Sequence, residues 1–175
     1  MLFSLLILLF CAGLVFAAFH DIASMTIPNW LSVAYIVSFP VAALFMGASL
    51  QSIGWHFAAG GIALVICFGL FAAGVFGGGD AKLIPAVMVW VGPDGALAFV
   101  FALALSGGLL ALLFILSRRF VPATVVPGFL HRSVVEGPGI PYAVAIAFGG
   151  FWAIPASPFL CELLLFTNFS SLTMP

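Results

Sequence analysis

Charged residues are the scarcest feature of this 175-residue chain. Only 5% of its residues are Asp, Glu, Lys or Arg, whereas 65% are hydrophobic, and the mean hydropathy is +1.38. A soluble globular domain carries about 25% charged residues, so this chain lacks the polar groups that would solvate its surface in water. The composition predicts an integral membrane protein, with residues 1–175 forming a single membrane-embedded domain.

Two classes of function lack the residues they would need. Four basic and five acidic residues give a net charge of −1, and without a basic cluster we expect no nucleic-acid partner. No CxxC occurs, and no two histidines have metal-ligand spacing, so we predict no metal site and no cofactor. The three cysteines lie far apart in apolar runs and are interpreted as packing residues: Cys11, Cys67 and Cys161.

The first 19 residues contain no charge at all. A cleavable signal peptide normally begins with a positive region, and the opening "MLFSLL" has none. We therefore expect residues 2–19 to be retained as a membrane-spanning helix. Retention also keeps Asp21 in the mature protein.

Uncharged stretches predict an all-α bundle of about six transmembrane helices, since a helix needs about 20 apolar residues to cross the membrane. The fourth span is short, because its residues would rise only about 20 Å. It either crosses as a short helix or forms a re-entrant segment buried in protein. The predicted spans are residues 1–19, 31–46, 55–76, 80–92, 95–117 and 141–154, with a second apolar segment at 159–166. The small and polar residues of "MGASLQSIG" at 46–54 are interpreted as a break between the second and third spans. Asp94 in "VGPDGA" is interpreted as part of a Pro-Asp-Gly turn that caps the fifth span.

Basic residues predict the orientation of the bundle. If the fourth span crosses, the loops on one side hold every basic residue, namely Lys82, Arg118, Arg119 and Arg132. By the positive-inside rule this side is cytoplasmic and the N-terminus is outside. The one substantial loop, 118–140, mixes apolar residues with Pro and Gly and is interpreted as an interfacial segment. His20 and His56 border predicted spans and are also interpreted as interfacial.

Two aspartates are candidate functional residues, because a charge at the centre of a membrane costs roughly 2.5–3.5 kcal/mol. Asp21 fits a helix-end polar residue equally well. Asp80 follows three glycines, which permit positive φ and a close approach of the backbone to a neighbour. Packing alone explains small residues spaced by three, but not the run of Gly77, Gly78 and Gly79 ending in an acid.

Together the two aspartate segments resemble those of the bacterial type IV prepilin peptidases, membrane aspartic proteases with a GxGD motif. The run "GGGD" at 77–80 matches that motif, and "AKLIPAV" follows it as in the family. The family's first aspartate precedes an Ile-Pro-Asn element, as Asp21 here precedes Ile27, Pro28 and Asn29. The segment "GIPYAVAIAFGG" at 139–150 is similar to the family's final segment.

Length narrows the resemblance to one branch of that family. The longer prepilin peptidases carry a cytoplasmic insertion with paired CxxC zinc motifs and also N-methylate the new terminus. This chain has no such insertion and resembles the short leader peptidases of tight-adherence (Flp) pilus systems. It departs from the family in having "IASMT" where arginines commonly lie between the first aspartate and Ile-Pro. That departure bears on how substrate leaders dock and removes no catalytic group.

The resemblance implies an aspartic endopeptidase of the bacterial inner membrane. It would remove the short leader of a prepilin or pseudopilin at the cytoplasmic face, with Asp21 and Asp80 as the catalytic pair. The supporting motif residues would be Gly77, Gly79, Ile27, Pro28 and Asn29. In addition, Pro28 suits the first turn of the second span, and Asn29 is a candidate cap for it.

Paired carboxylates account for the implied chemistry. Two charges about 4 Å apart repel by roughly 4 kcal/mol at an effective dielectric constant near 20. Asp21 and Asp80 would therefore share one proton near neutral pH and titrate as a coupled pair. The ionised member would take a proton from water, while the protonated member would polarise the scissile carbonyl. The sequence leaves open which aspartate takes which role.

Two other functions fit the same residues. Membrane carboxylates also relay protons in transporters, and a proton-coupled transporter would show solute uptake that depends on Asp80, with no prepilin shortened. A noncatalytic pilus-assembly subunit would tolerate asparagine at both Asp21 and Asp80. The two motifs at their separation favour the peptidase.

Overall fold

The computed structural model describes residues 2–120 and 139–172, and this part of the chain is helical with no β-strand. The predicted all-α membrane bundle is confirmed. Most of the predicted interfacial loop 118–140, including Arg132, lies outside the described residues. The helices are α1 (Leu2–Ser24), α2 (Asn29–Phe45), α3 (Leu50–Ala72), α4 (Asp80–Phe120), α5 (Ala143–Ala153) and α6 (Pro158–Leu172), with a 3₁₀ turn at Ile154–Ala156 between the last two.

Helix length and apolarity fit a protein that crosses a membrane several times. Three described helices are individually long and apolar enough to span it: Phe3–Ser24, Leu50–Ala72 and Asp80–Phe120. The segments Ala143–Ala156 and Pro158–Leu165 pass together as a pair bent by 78°, and α2 is a shorter apolar helix. Large apolar side chains face outward on most of these helices, as lipid contact requires. The count of six crossings and the outside N-terminus remain predictions.

Helix α4 reverses direction at Gly92. This residue has φ 74° and ψ 178°, a left-handed conformation that glycine adopts without steric cost. A straight helix would place Asp80 and Gly107 about 40 Å apart at 1.5 Å per residue, yet both line one cavity. The element is therefore a helical hairpin, with a first limb at 80–91 and a second limb at 93–120. The turn predicted between the fourth and fifth spans is reduced to a single residue.

The first limb of α4 is enclosed by the other helices. Every residue from 83 to 92 is buried, as expected for a helix that is apolar on all sides. Trp90 anchors this limb, because its indole N–H donates to the carbonyl of Tyr35 at 2.8 Å and its ring stacks on Phe10. A helix of about 18 Å fits within the bundle because its neighbours are protein. The predicted short fourth span corresponds to this limb.

His56 completes the helix break. Pro93 has no N–H, so the carbonyl of Val89 lacks its usual helical donor. His56 Nδ1 lies 2.8 Å from that carbonyl and donates to it, and the imidazole stacks on Phe39. The position of His56 at the membrane interface stays a prediction, but its side chain does not face lipid, since it is only 7% exposed. Its ring is held inside the bundle by a tertiary hydrogen bond.

The bounds of α3 differ from those predicted by about one turn at each end. The helix begins at Leu50, within a stretch interpreted as a break, because the Ser49 hydroxyl accepts the backbone N–H of Ser52 and caps it. It ends at Ala72, shortly before Gly74 turns the chain with φ 73°. The polar, glycine-containing composition of the 46–54 stretch therefore did not prevent a helix, because Ser49 caps it.

The start of α2 corrects two predictions. Pro28 is the N-cap, in an extended conformation (φ −63°, ψ 133°), and so precedes the first turn in which it was predicted. Asn29 is the first helical residue, and no side chain caps α2. The Asn29 amide oxygen instead accepts a hydrogen bond from Lys82 Nζ at 3.1 Å. This bond connects α2 with the first limb of α4.

Candidate active site

An open cavity of about 810 Å³ lies where α1 ends and α4 begins. Its walls also include the second limb of α4 and the segment that precedes α5. Six of the seven site residues predicted from the sequence line this cavity: Asp21, Ile27, Asn29, Gly77, Gly79 and Asp80. Pro28, the seventh, lies between two of them in the chain. The structure thus brings the two predicted motifs to one place.

Asp21 lies in the last turn of α1 and is 6% exposed. The backbone N–H of Ala143 donates to its Oδ2 at 3.0 Å. Ala143 is the first residue of α5, so the carboxylate faces the positive end of that helix dipole. A buried charge is costly unless it is hydrogen-bonded. The N-terminus of α5 therefore supplies a donor that stabilises negative charge on Asp21.

The chain is held tightly just after Asp21. Met25 directly follows α1 and has φ 54°, the one positive value among the described non-glycine residues. Its N–H donates to the Asp21 carbonyl at 2.8 Å. His20 Nδ1 lies 2.7 Å from the carbonyl of Thr26 and bonds it across the turn. These contacts close the end of α1 and direct the chain toward Ile27.

Asp80 is the first residue of α4 and is half-buried. A Cβ placed on Gly77 would lie 3.0 Å from Asp80 Oδ2, and one on Gly79 would lie 3.1 Å from the Ile27 Cβ. A Cβ on Gly78 would make only ordinary contacts, at 3.4 Å from Phe71. Two of the three glycines therefore provide room, one for the Asp80 carboxylate and one for the Ile-Pro-Asn segment.

Positive φ was expected as one use of this glycine run, and that expectation was wrong. The described glycines with positive φ are Gly47, Gly74 and Gly92. The run before Asp80 is not among them, so its glycines supply space and not an unusual backbone conformation. Gly79 in contact with Ile27 joins the two motifs directly.

Electrostatics link the two aspartates across the cavity. The Asp21 carboxylate is near enough to Asp80 to repel its charge, although the residues come from different helices. Each also lies at a helix N-terminus, because Asp80 begins α4 and Asp21 meets the first N–H of α5. Helix N-termini favour negative charge. Both carboxyl groups thus line one open cavity, each at a helix N-terminus.

Tyr142 is a cavity residue that the sequence reasoning did not single out. It lies at the N-cap of α5, immediately before the residue that bonds Asp21. Burial and the nearby Asp80 carboxylate raise the pKa of its phenol above the ordinary value of 10.0, so it remains protonated at neutral pH. Its position in "GIPYAVAIAFGG", a segment similar to one in the family, was the available signal.

Basic side chains lie at the same end of the bundle as the cavity. Lys82 follows Asp80 by two positions and bonds Asn29, which lines the cavity. Arg118, in the last turn of α4, donates to the carbonyl of Gly139 at 2.7 Å. Gly139 is also part of the cavity wall. Two of the four basic residues thus contact residues that line this cavity.

A sequence model of the type IV leader peptidase family matches residues 8–112, more than half of the chain. The chain belongs to the type IV leader peptidase family. The matched range contains Asp21, Asp80 and the glycine run, and family membership indicates a peptidase. Comparisons with curated proteins and with solved structures gave no match.

Proposed function

We propose that this peptidase is an aspartic endopeptidase in which Asp21 and Asp80 form the catalytic pair. One observation carries the proposal: two carboxyl groups from separate helices line a single open cavity. They repel one another, and a pair of this kind retains one proton near neutral pH. One ionised and one protonated carboxyl together provide the base and the acid that peptide hydrolysis requires.

In the proposed mechanism Asp21 is the base. Its carboxylate accepts the Ala143 N–H at a helix N-terminus, and such a bond favours the ionised form. Asp21 removes a proton from water as the water oxygen bonds to the scissile carbonyl carbon. Asp80 gives its proton to the carbonyl oxygen, which forms a gem-diol.

Collapse of the gem-diol completes hydrolysis. The C–N bond breaks as Asp21 passes its proton to the leaving nitrogen, and Asp80 recovers a proton from a gem-diol hydroxyl. Both carboxyls return to their starting states. Acid–base catalysis by a positioned group contributes about 10²–10⁴-fold, so loss of either group should abolish measurable cleavage in cells.

We propose a prepilin or pseudopilin as the substrate, cut at the cytoplasmic face of the bacterial inner membrane. Family membership supports the substrate class. Lys82 and Arg118 lie at the cavity end of the bundle, and the positive-inside rule assigns that end to the cytoplasm. The absence of a CxxC pair from the sequence supports a short Flp-type leader peptidase without N-methylation.

We propose further that residues 1–175 act as one peptidase domain. The family match ends at residue 112, yet α5 supplies the N–H that bonds Asp21. Tyr142 and Gly139, which precede α5, also line the cavity. Residues beyond the matched range therefore contribute to the proposed site.

Co-expression with a panel of tagged Flp-type prepilins tests the proposal. We expect the wild-type protein to shorten at least one prepilin, as seen by gel mobility and by the mass of the product. Asp21→Asn and Asp80→Asn should insert normally and leave that prepilin at full length. Asp94→Asn is the matched control, because Asp94 lines a separate polar pocket beside His56. Complete leader removal by either active-site variant refutes the proposal. Failure of the wild-type protein to shorten any prepilin also refutes it.

A further inference from the structure

We infer that the Tyr142 hydroxyl is a third catalytic group, which donates a hydrogen bond to the scissile carbonyl oxygen as charge develops on it. This inference rests on the proposed function of Asp21 and Asp80. It identifies a residue at the site that is neither in the glycine motif nor in the Ile-Pro-Asn motif. Tyr142 is also outside the range that the family sequence model matches.

The position of Tyr142 is defined from three directions. Its backbone precedes Ala143, whose N–H bonds Asp21. Its ring packs against Phe76, with the centroids 5.6 Å apart. The ring also lies directly on the bare backbone of Gly107, where a Cβ would come within 2.8 Å of the Tyr142 Cε2 and still closer to the hydroxyl. The phenol is thus held in one place on the wall of the cavity that both carboxyl groups also line.

The Tyr142 hydroxyl is available to bind a substrate. Among the residues that the structure describes, it has no hydrogen-bond partner. In this part of the protein, every buried side-chain polar atom has a hydrogen-bond partner. Because the Tyr142 hydroxyl has none, it is not buried, and it is open to the cavity that Tyr142 lines. A phenol next to the Asp80 carboxylate stays protonated and therefore remains a donor.

A donor here complements the proposed acid and base. As water attacks, negative charge develops on the carbonyl oxygen before Asp80 has fully transferred its proton. A fixed donor aimed at that oxygen stabilises the transition state more than the ground state. The hydroxyl keeps its own proton throughout, so it adds no step to the proton transfers between water, the two aspartates and the leaving nitrogen.

Tyr142→Phe is the decisive variant, because it removes the hydroxyl and keeps the ring that packs on Gly107 and Phe76. The assay uses purified protein in detergent micelles and a prepilin that the wild-type protein shortens in cells. We expect kcat to fall by roughly 10²-fold, the range for one lost transition-state donor, with KM changed by less than about threefold. Thermal unfolding should stay close to that of the wild-type protein.

A second variant displaces the hydroxyl without deleting it, and a third serves as its control. Gly107→Ala places a methyl group where the phenol lies and should lower kcat to a similar extent. Gly69→Ala is the matched control, since Gly69 is another helical glycine and a Cβ there would meet nothing within 4 Å. Gly69→Ala should cleave at the wild-type rate.

The outcomes separate this inference from the proposed function. A kcat for Tyr142→Phe within threefold of wild type, with Asp80→Asn inactive, overturns the role of Tyr142 and leaves the catalytic pair intact. A change in KM without a fall in kcat also overturns it. So does a fall in kcat that is accompanied by a clear loss of thermal stability. Cleavage by Asp80→Asn, or none by the wild-type protein, refutes the catalytic pair and the Tyr142 role with it.

Discussion

Replacing Gly92 by alanine tests the contact between the turn of the α4 hairpin and the His56 ring. Alanine in the left-handed conformation costs about 1–2 kcal/mol. Its Cβ would also lie 2.7 Å from His56 Nε2 and 2.8 Å from Nδ1, so the imidazole must move. Moving it leaves the buried Val89 carbonyl without its donor, at about 1–3 kcal/mol. We expect Gly92→Ala to lower the free energy of unfolding by about 2–5 kcal/mol.

Unfolding in mixed micelles of mild detergent and SDS measures this loss. Gly47→Ala is the control for the backbone term, because Gly47 also has φ 74° and a Cβ there would meet nothing within 4 Å. In a His56→Ala background, Gly92→Ala should cost only the backbone part, about 1–2 kcal/mol. Equal losses for Gly92→Ala and Gly47→Ala, or full additivity with His56→Ala, would refute the proposed contact.

Two further predictions concern the contacts between motifs. Gly79→Ala should lower the free energy of unfolding by about 1–3 kcal/mol, because its Cβ would overlap Ile27. Gly78→Ala, measured by the same titration, should lower it clearly less. Equal losses for the two variants would contradict the predicted overlap with Ile27. The Lys82–Asn29 hydrogen bond is exposed, so a double-mutant cycle with Lys82→Met and Asn29→Ala should give a coupling of only about 0.5–1.5 kcal/mol. A coupling of zero would show that the bond does not contribute in the membrane.

The helical bundle could be predicted because its signal is compositional. Long uncharged apolar runs have few structural solutions in a membrane, and each predicted span corresponds to an observed helix. The prediction that the two aspartates lie together had a different basis. It came from the resemblance of the segments around Asp21 and Asp80 to one family. Neither periodicity nor spacing alone brings those residues into one cavity.

Contacts between distant parts of the chain could not be predicted. Ala143 bonds Asp21 across 122 positions, and no local pattern marks a backbone N–H as a carboxylate donor. His56 donates to the Val89 carbonyl, which has no helical donor because Pro93 lacks an N–H. The sequence does not show this bond, because it forms only where α3 packs beside α4. The segment around Tyr142 resembles one in the family, but the contacts of Tyr142 with Gly107 and Phe76 also join distant parts of the chain.

Local rules also failed where a tertiary contact competed with them. Asn29 has the chemistry of a helix cap, yet its amide bonds Lys82 on another helix. The glycines before Asp80 suggested unusual backbone angles, whereas Gly79 is small because Ile27 packs on it. In both cases the residue type indicated a special role, but the sequence did not indicate which residue it would contact.

The cooperation of the two aspartates is the central claim, and single-turnover cleavage of a prepilin by purified protein measures it most directly. Rates would be compared for wild type, Asp21→Asn, Asp80→Asn and the double variant. Groups that act as one unit give non-additive losses, so we predict that each single variant is about 10²–10⁴-fold slower and the double variant no slower than either. Losses that multiply in the double variant, or a single variant that keeps the wild-type rate, would contradict a shared catalytic pair.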